Sequence, residues 1–144
     1  MTDSLIPVQN QGRITLPGSD APLDVPSGQV VTLQEVIVDH AVPNAATYRF
    51  RFIAPAIARD GGGMDFETSI ADMQHLCDTY ALAQVAAASP APVADTTPAK
   101  LPGTVQVIIA FSDMALPFGQ TNPDATQFFM AFSVQDGICA LEPF

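Results

Sequence analysis

The stretch Thr126-Gln-Phe-Phe-Met-Ala-Phe-Ser-Val-Gln-Asp-Gly-Ile-Cys-Ala-Leu141 contains a complete β-hairpin in its pattern. Phe128, Met130, Phe132 and Val134 recur with the period of a strand and share one face. Asp136-Gly137 predicts a two-residue turn, because a type I′ turn needs positive φ at both central positions. Gln135 then opposes Ile138, and Val134 opposes Cys139. Opposite residues share a face, so Cys139 lies among the rings. That face has to be covered by something apolar.

The cover is a helix. Gly61-Gly62-Gly63 interrupts the chain, Asp65 follows as a cap, and Glu67 suits the positive helix end. Phe66, Ile70, Met73, Cys77, Tyr80 and Ala81 form one stripe of a helix running to about Gln84, and Asp72, Gln74, His75 and Asp78 form a solvated acidic face. Laid on the rings of the hairpin, this helix points Cys77 at Cys139. A bridge between them implies maturation in an oxidising compartment, the periplasm or outside, whereas two buried free thiols fit a cytoplasmic protein.

Three further strands are legible. Val30–Val38 is rich in β-branched residues and apolar on both faces, as in a strand covered on both sides. Thr47–Ile53 alternates, with Tyr48, Phe50 and Phe52 on one face and Arg49 and Arg51 on the other. Thr104–Phe111 completes the set. The order β-β-α-β-β-β predicts an α+β, two-layer fold: an antiparallel sheet of about five strands with one helix packed on one face. Eight of the 13 prolines fall in residues 1–28 and 88–103. These stretches read as an extended N-terminal arm and a polyproline-like connection inside a single domain spanning 29–144.

The whole chain has 144 residues, 48% of them apolar, which is enough to bury a core. Five basic residues against 15 acidic ones leave a net charge of -10, which argues against nucleic-acid and anionic-membrane binding. No run approaches the roughly 18 apolar residues of a membrane-spanning helix. Met1–Leu16 has no basic start followed by an apolar segment, so the export reading takes the chain as a mature, trimmed form.

The catalytic patterns fail on geometry. Cys77 and His75 lie about 200° apart around a helix and cannot work as nucleophile and base. Asp72, His75 and Asp78 are spread around the helix rather than converging on a cation. The glycine run lacks both the P-loop and the dinucleotide-binding spacing. No cofactor is called for.

Arg49 and Arg51 are the only closely spaced basic pair. They either bind a carboxylate or phosphate, or form cross-strand ion pairs with Glu35 and Asp39. The loop Asp113–Gln120 is unusually apolar and places Leu116 and Phe118 either as a lid on the sheet or as a contact for a partner.

The segments Val25-Pro-Ser-Gly-Gln29, Tyr48-Arg-Phe-Arg-Phe-Ile-Ala-Pro55, Asp72-Met-Gln-His-Leu-Cys77, Phe118-Gly-Gln-Thr-Asn-Pro-Asp-Ala-Thr-Gln-Phe-Phe129 and Asp136-Gly-Ile-Cys-Ala-Leu-Glu-Pro-Phe144 resemble a small alphaproteobacterial family described only as a domain of unknown function. The resemblance runs from about Val25 to the C-terminus. It implies export behind a signal peptide and cysteines at these two places, and it supplies no activity.

The functional expectation is a non-catalytic, exported domain that contacts another protein, for example as an accessory subunit. The rival is a small-molecule binder or enzyme with a pocket between helix and sheet, lined by Tyr48, Phe50, Tyr80 and Phe128 and holding an inward polar group such as His40 or Arg49.

Overall fold

Strands with two unlike faces need two unlike environments, and here a helix supplies one of them. The computed structural model describes residues 13–39, 45–58, 62–88, 104–120, 122–135 and 138–142. Its elements in chain order are β1 (Arg13–Ser19), β2 (Thr32–Asp39), β3 (Ala45–Ile53), a 3-10 turn (Pro55–Ile57), α1 (Phe66–Leu76), a π-helical turn (Cys77–Ala81), α2 (Leu82–Ala88), β4 (Thr104–Ser112), β5 (Gln127–Gln135) and β6 (Ile138–Leu141). The strands lie side by side in sequence order. The predicted Asp136-Gly137 turn, the loop with Pro43 and Asn44, His40, Gly61 and most of the proline-rich connection lie outside the described residues.

The α+β class holds, with two corrections. The sheet has six strands, not five, and it is mixed. β3 and β4 run parallel in its middle, while every other neighbouring pair is antiparallel. A helix laid back along the sheet returns the chain to the end where the preceding strand began, so the next strand runs in the same direction as the last.

The extra strand is Arg13–Ser19, which the four prolines of residues 1–28 place in an extended arm. It pairs antiparallel with β2, Arg13 opposite Asp39 and Pro17 opposite Glu35. A strand at the margin of a sheet tolerates a proline that a central strand would not. Gly18 is required by close approach, since a Cβ there would lie 2.1 Å from the Leu33 carbonyl oxygen, beside a register shift in β2.

Asp65 caps α1 by accepting from the Thr68 N–H at 2.8 Å, and Glu67 stands in the first turn. The π turn is closed by the Leu82 N–H donating to the Cys77 carbonyl, five residues back. Its extra residue re-phases the helix so that Cys77, Ala81 and Val85 all face the sheet. The Cys77 and Cys139 sulfurs stand at disulfide distance, 2.06 Å, joining helix to last strand across a sequence separation of 62. In the chain-entropy estimate, such a link contributes about 4 kcal/mol.

The predicted stripe needs adjustment. Met73, Cys77 and Ala81 are buried, but Phe66 and Ile70 are exposed, and Ser69, Asp72 and Leu76 take their place. Asp72, expected on a solvated face, is completely buried. It accepts hydrogen bonds from the Ser27 N–H and hydroxyl and from the Gln29 amide at 2.7 Å. This carboxylate holds the loop before β2 onto the helix. Three donors replace the water it gives up.

Candidate functional site

Two sides of the sheet could hold a site. On the helix side, Phe50, Phe52 and Tyr80 meet one another with ring centroids 6.1–6.3 Å apart, and Phe52 meets Phe111 at 6.0 Å. Phe50, Phe52 and Phe111 are at most 1% exposed, and Tyr48 is buried with them. Burial pushes the Tyr48 hydroxyl above its ordinary pKa. Phe128 lies at the border, edge-on to Phe66 with centroids 5.2 Å apart. The expected pocket between helix and sheet is therefore filled by its own rings, and Arg49 points to the other side. Among the described residues, the space between Phe50, Phe52, Phe111 and Tyr80 is taken up by the rings themselves.

The other face carries the alternate residues of the same strands. Register puts Glu35 and Ile37 of β2, Arg49 and Arg51 of β3, Ile108 and Ala110 of β4, and Phe129 and Ala131 of β5 on it. No helix among the described residues covers this side. It is crossed by the loop after β4, which is tied at its base by Asp113 and Thr126. The Asp113 N–H donates to the Thr126 carbonyl at 3.1 Å, and the Thr126 N–H donates to the Asp113 carboxylate at 3.0 Å.

Leu116 and Phe118 separate in role. Leu116 is buried, and its carbonyl accepts from the Gln34 amide at 2.7 Å and from Arg51 Nη2 at 2.9 Å. It pins the loop to the sheet. Phe118 remains 42% exposed at the mouth of a cavity of about 320 Å³, whose walls include Arg49, Arg51, Ile108, Ala110 and Phe129. Gln120 and Gln127 bring side-chain amides to the same cavity.

Three guanidinium groups surround the Phe118 ring. Arg13, Arg49 and Arg51 stand 5.6, 5.7 and 5.4 Å from its centroid. These are three of the chain's five basic residues, gathered at one ring in a molecule of net charge -10. Their like charges are moderated by two carboxylates: Arg51 pairs with Glu35, and Arg13 lies 3.8 Å from Asp39. The ion pairing weighed from sequence thus joins Glu35 to Arg51, and Asp39 receives Arg13, a residue not included in that reading.

Arg49 is different. Its Nη1 is buried with no hydrogen-bond partner among the described residues. A buried, unsatisfied donor on a permanently charged group costs free energy, and an acceptor entering the cavity relieves it.

The sequence separately marked Arg49, Arg51 and Phe118, but nothing in spacing along the chain joins residues 49 and 118. The burial of Asp72 is not legible from the helix pattern, because its donors, Ser27 and Gln29, lie more than 40 residues away in the chain. Gln74 is half-buried, whereas Asp78 is exposed as expected, and both reach the last strand. The Gln74 amide donates to the Cys139 carbonyl at 3.1 Å, and the Cys139 N–H donates to Asp78 at 3.4 Å. Among the described residues, no group of three or more His, Cys, Asp or Glu side chains comes together as a metal site, and no helix is long and apolar enough to cross a membrane.

Fold and groove together define an α+β domain with a six-stranded mixed sheet, closed by a helix on one side and bearing an arginine-lined cavity on the other. The chain belongs to a family of unknown function (DUF6497), whose model matches residues 8–144. Neither a curated protein nor a solved structure matches it.

Proposed function

We propose that this is a non-catalytic binding domain of an oxidising, extracytoplasmic compartment, and that it recognises its ligand in the groove on the helix-free face. The observation that carries the reading is the cavity beneath Phe118, where Arg49 Nη1, buried and without a hydrogen-bond partner among the described residues, meets apolar walls. Cavities that bind small molecules have this make-up: mostly apolar linings with a few polar groups that orient the ligand. The compartment rests on the cysteine pair at disulfide distance.

A second reading, an accessory subunit that contacts a protein, is favoured by a separate observation. Phe129, 53% exposed, lies beside Phe118 on the cavity wall, and Ile138, 61% exposed, stands on the same sheet face at the β6 edge.

One experiment separates them. Benzoylphenylalanine in place of Phe118, or of Ala83 on the exposed side of α2 as control, is irradiated in the native host. An adduct of small-molecule mass at 118 alone supports the ligand reading. An adduct of protein mass at 118 alone supports the subunit reading. Equal adducts at 118 and 83, or none, defeat both. Alkylation with and without prior reduction, read by mass, tests the compartment: thiols that react without reductant in freshly isolated protein contradict it.

A further inference from the structure

We propose that the groove is a carboxylate site that takes a small organic acid with an apolar body, and that Arg49 holds the acid group. The inference rests on the binding-domain reading above and adds the class of ligand.

Charge accounting around Phe118 singles out Arg49. Arg51 is occupied by Glu35 and by the Leu116 carbonyl, and Arg13 lies against Asp39. Three positive and two negative side chains leave one net positive charge, on the arginine whose Nη1 has no partner among the described residues. The unpartnered Arg49 Nη1 and the one surplus positive charge match one carboxylate, which a guanidinium can grip through two parallel N–H donors. A doubly charged phosphate needs more than the one surplus positive charge available here, in a chain of net charge -10.

The remaining walls determine the rest of the ligand. Ile108, Ala110, Phe129 and the Phe118 ring offer apolar contact, and Gln120 and Gln127 offer amide donors for a second polar atom. A volume of about 320 Å³ equals roughly ten waters at about 30 Å³ each, which suits a molecule of about 10 to 15 non-hydrogen atoms. Phe118 lies over the mouth, partly exposed, on a loop anchored through Leu116 rather than through the ring itself. The ring can therefore move aside and return without undoing the anchor.

Titration calorimetry and proton NMR on the full, oxidised chain test the proposal with hydrocinnamate and octanoate as probes, and with hydrocinnamamide and inorganic phosphate as comparisons. At least one acid is expected to bind saturably at one site, and at least tenfold more tightly than the amide or phosphate. Arg49→Gln should weaken the acid about tenfold or more and leave the amide unchanged, with Arg49→Lys recovering part of the loss. Because Arg49→Gln can disturb folding, Phe118→Ala provides a second route: it removes a partly exposed ring outside the helix-side core and should weaken both acids severalfold.

The carboxylate assignment is overturned if the amide binds as well as the acid, if phosphate binds more tightly, or if Arg49→Gln binds the acids as the unmodified chain does. It is also overturned if no acid binds while photo-adducts still form at position 118; in that case the binding-domain reading survives. Absence of both acid binding and adducts removes the two together.

Discussion

The two faces of the sheet are made by alternate residues of the same strands, yet one is a finished core and the other an unfinished one. Under the helix, Phe50, Phe52, Phe111 and Tyr80 fill the space between layers and are tied down by the Cys77–Cys139 link. On the far side, Ile108, Ala110 and Phe129 lie under a loop that reaches them through Leu116 and leaves a cavity at Phe118. The filled layer leaves the other side free to keep one guanidinium nitrogen, Arg49 Nη1, buried without an acceptor among the described residues. Stability is concentrated on one face, and capacity for recognition on the other.

Substitutions should reveal that division. The largest effect is expected from Phe50→Ala, which removes a fully buried ring and should lower unfolding free energy by roughly 3–5 kcal/mol in denaturant titrations. A loss below about 1 kcal/mol would mean the helix-side core is looser than its ring contacts indicate. Next comes the double change Cys77→Ala with Cys139→Ala, at about 2–4 kcal/mol, with the chain-entropy value at the upper end. Reductant should lower the melting temperature of the unmodified chain and leave the double variant unmoved.

Asp72→Ala is expected to cost about 2 kcal/mol, since it strands the Ser27 and Gln29 donors. Hydrogen exchange should then rise in residues 23–31 before it rises in the strands. By contrast, Phe118→Ala should change stability by less than about 0.5 kcal/mol, because the ring is partly exposed and the loop is held elsewhere. A large destabilisation there would make Phe118 part of the core and erase the contrast between faces.

The smallest effect concerns Asp65. The Thr68 backbone N–H holds its carboxyl below the ordinary aspartate value of 3.8. A lowered value means that the charge-dependent part of its stabilisation is present above pH 3.8 and disappears as pH falls through the lowered pKa. Asp65→Asn keeps a capping oxygen but not the charge. Melting curves of the two proteins should therefore differ slightly at neutral pH and converge in acid.

The physical source of each feature explains how far it was legible. Period-two alternation in Thr47–Ile53 assigned the rings and arginines to opposite faces without reference to any other strand. The registers Val134 opposite Cys139 and Gln135 opposite Ile138 match those expected from the hairpin pattern, although the turn itself lies outside the described residues. The Asp65 cap was equally readable, because a cap is satisfied within three residues. Strand direction was misjudged where the helix intervenes, since direction depends on where the crossover delivers the chain. Arg13–Ser19 reads as arm rather than strand because Pro17 and the prolines flanking it outweigh an alternation that gains a pairing partner only when β2 lies alongside.

The amino-acid order by itself determined the alternation of faces, the helix start and the placement of both cysteines on facing surfaces, because each depends on contacts a few residues apart or on a single turn. Only the tertiary structure decided the parallel centre of the sheet, the donors around Asp72 and the meeting of Arg13, Arg49 and Arg51 at Phe118. Those depend on groups distant in sequence, whose approach is set by how strands and loops pack and not by any local pattern.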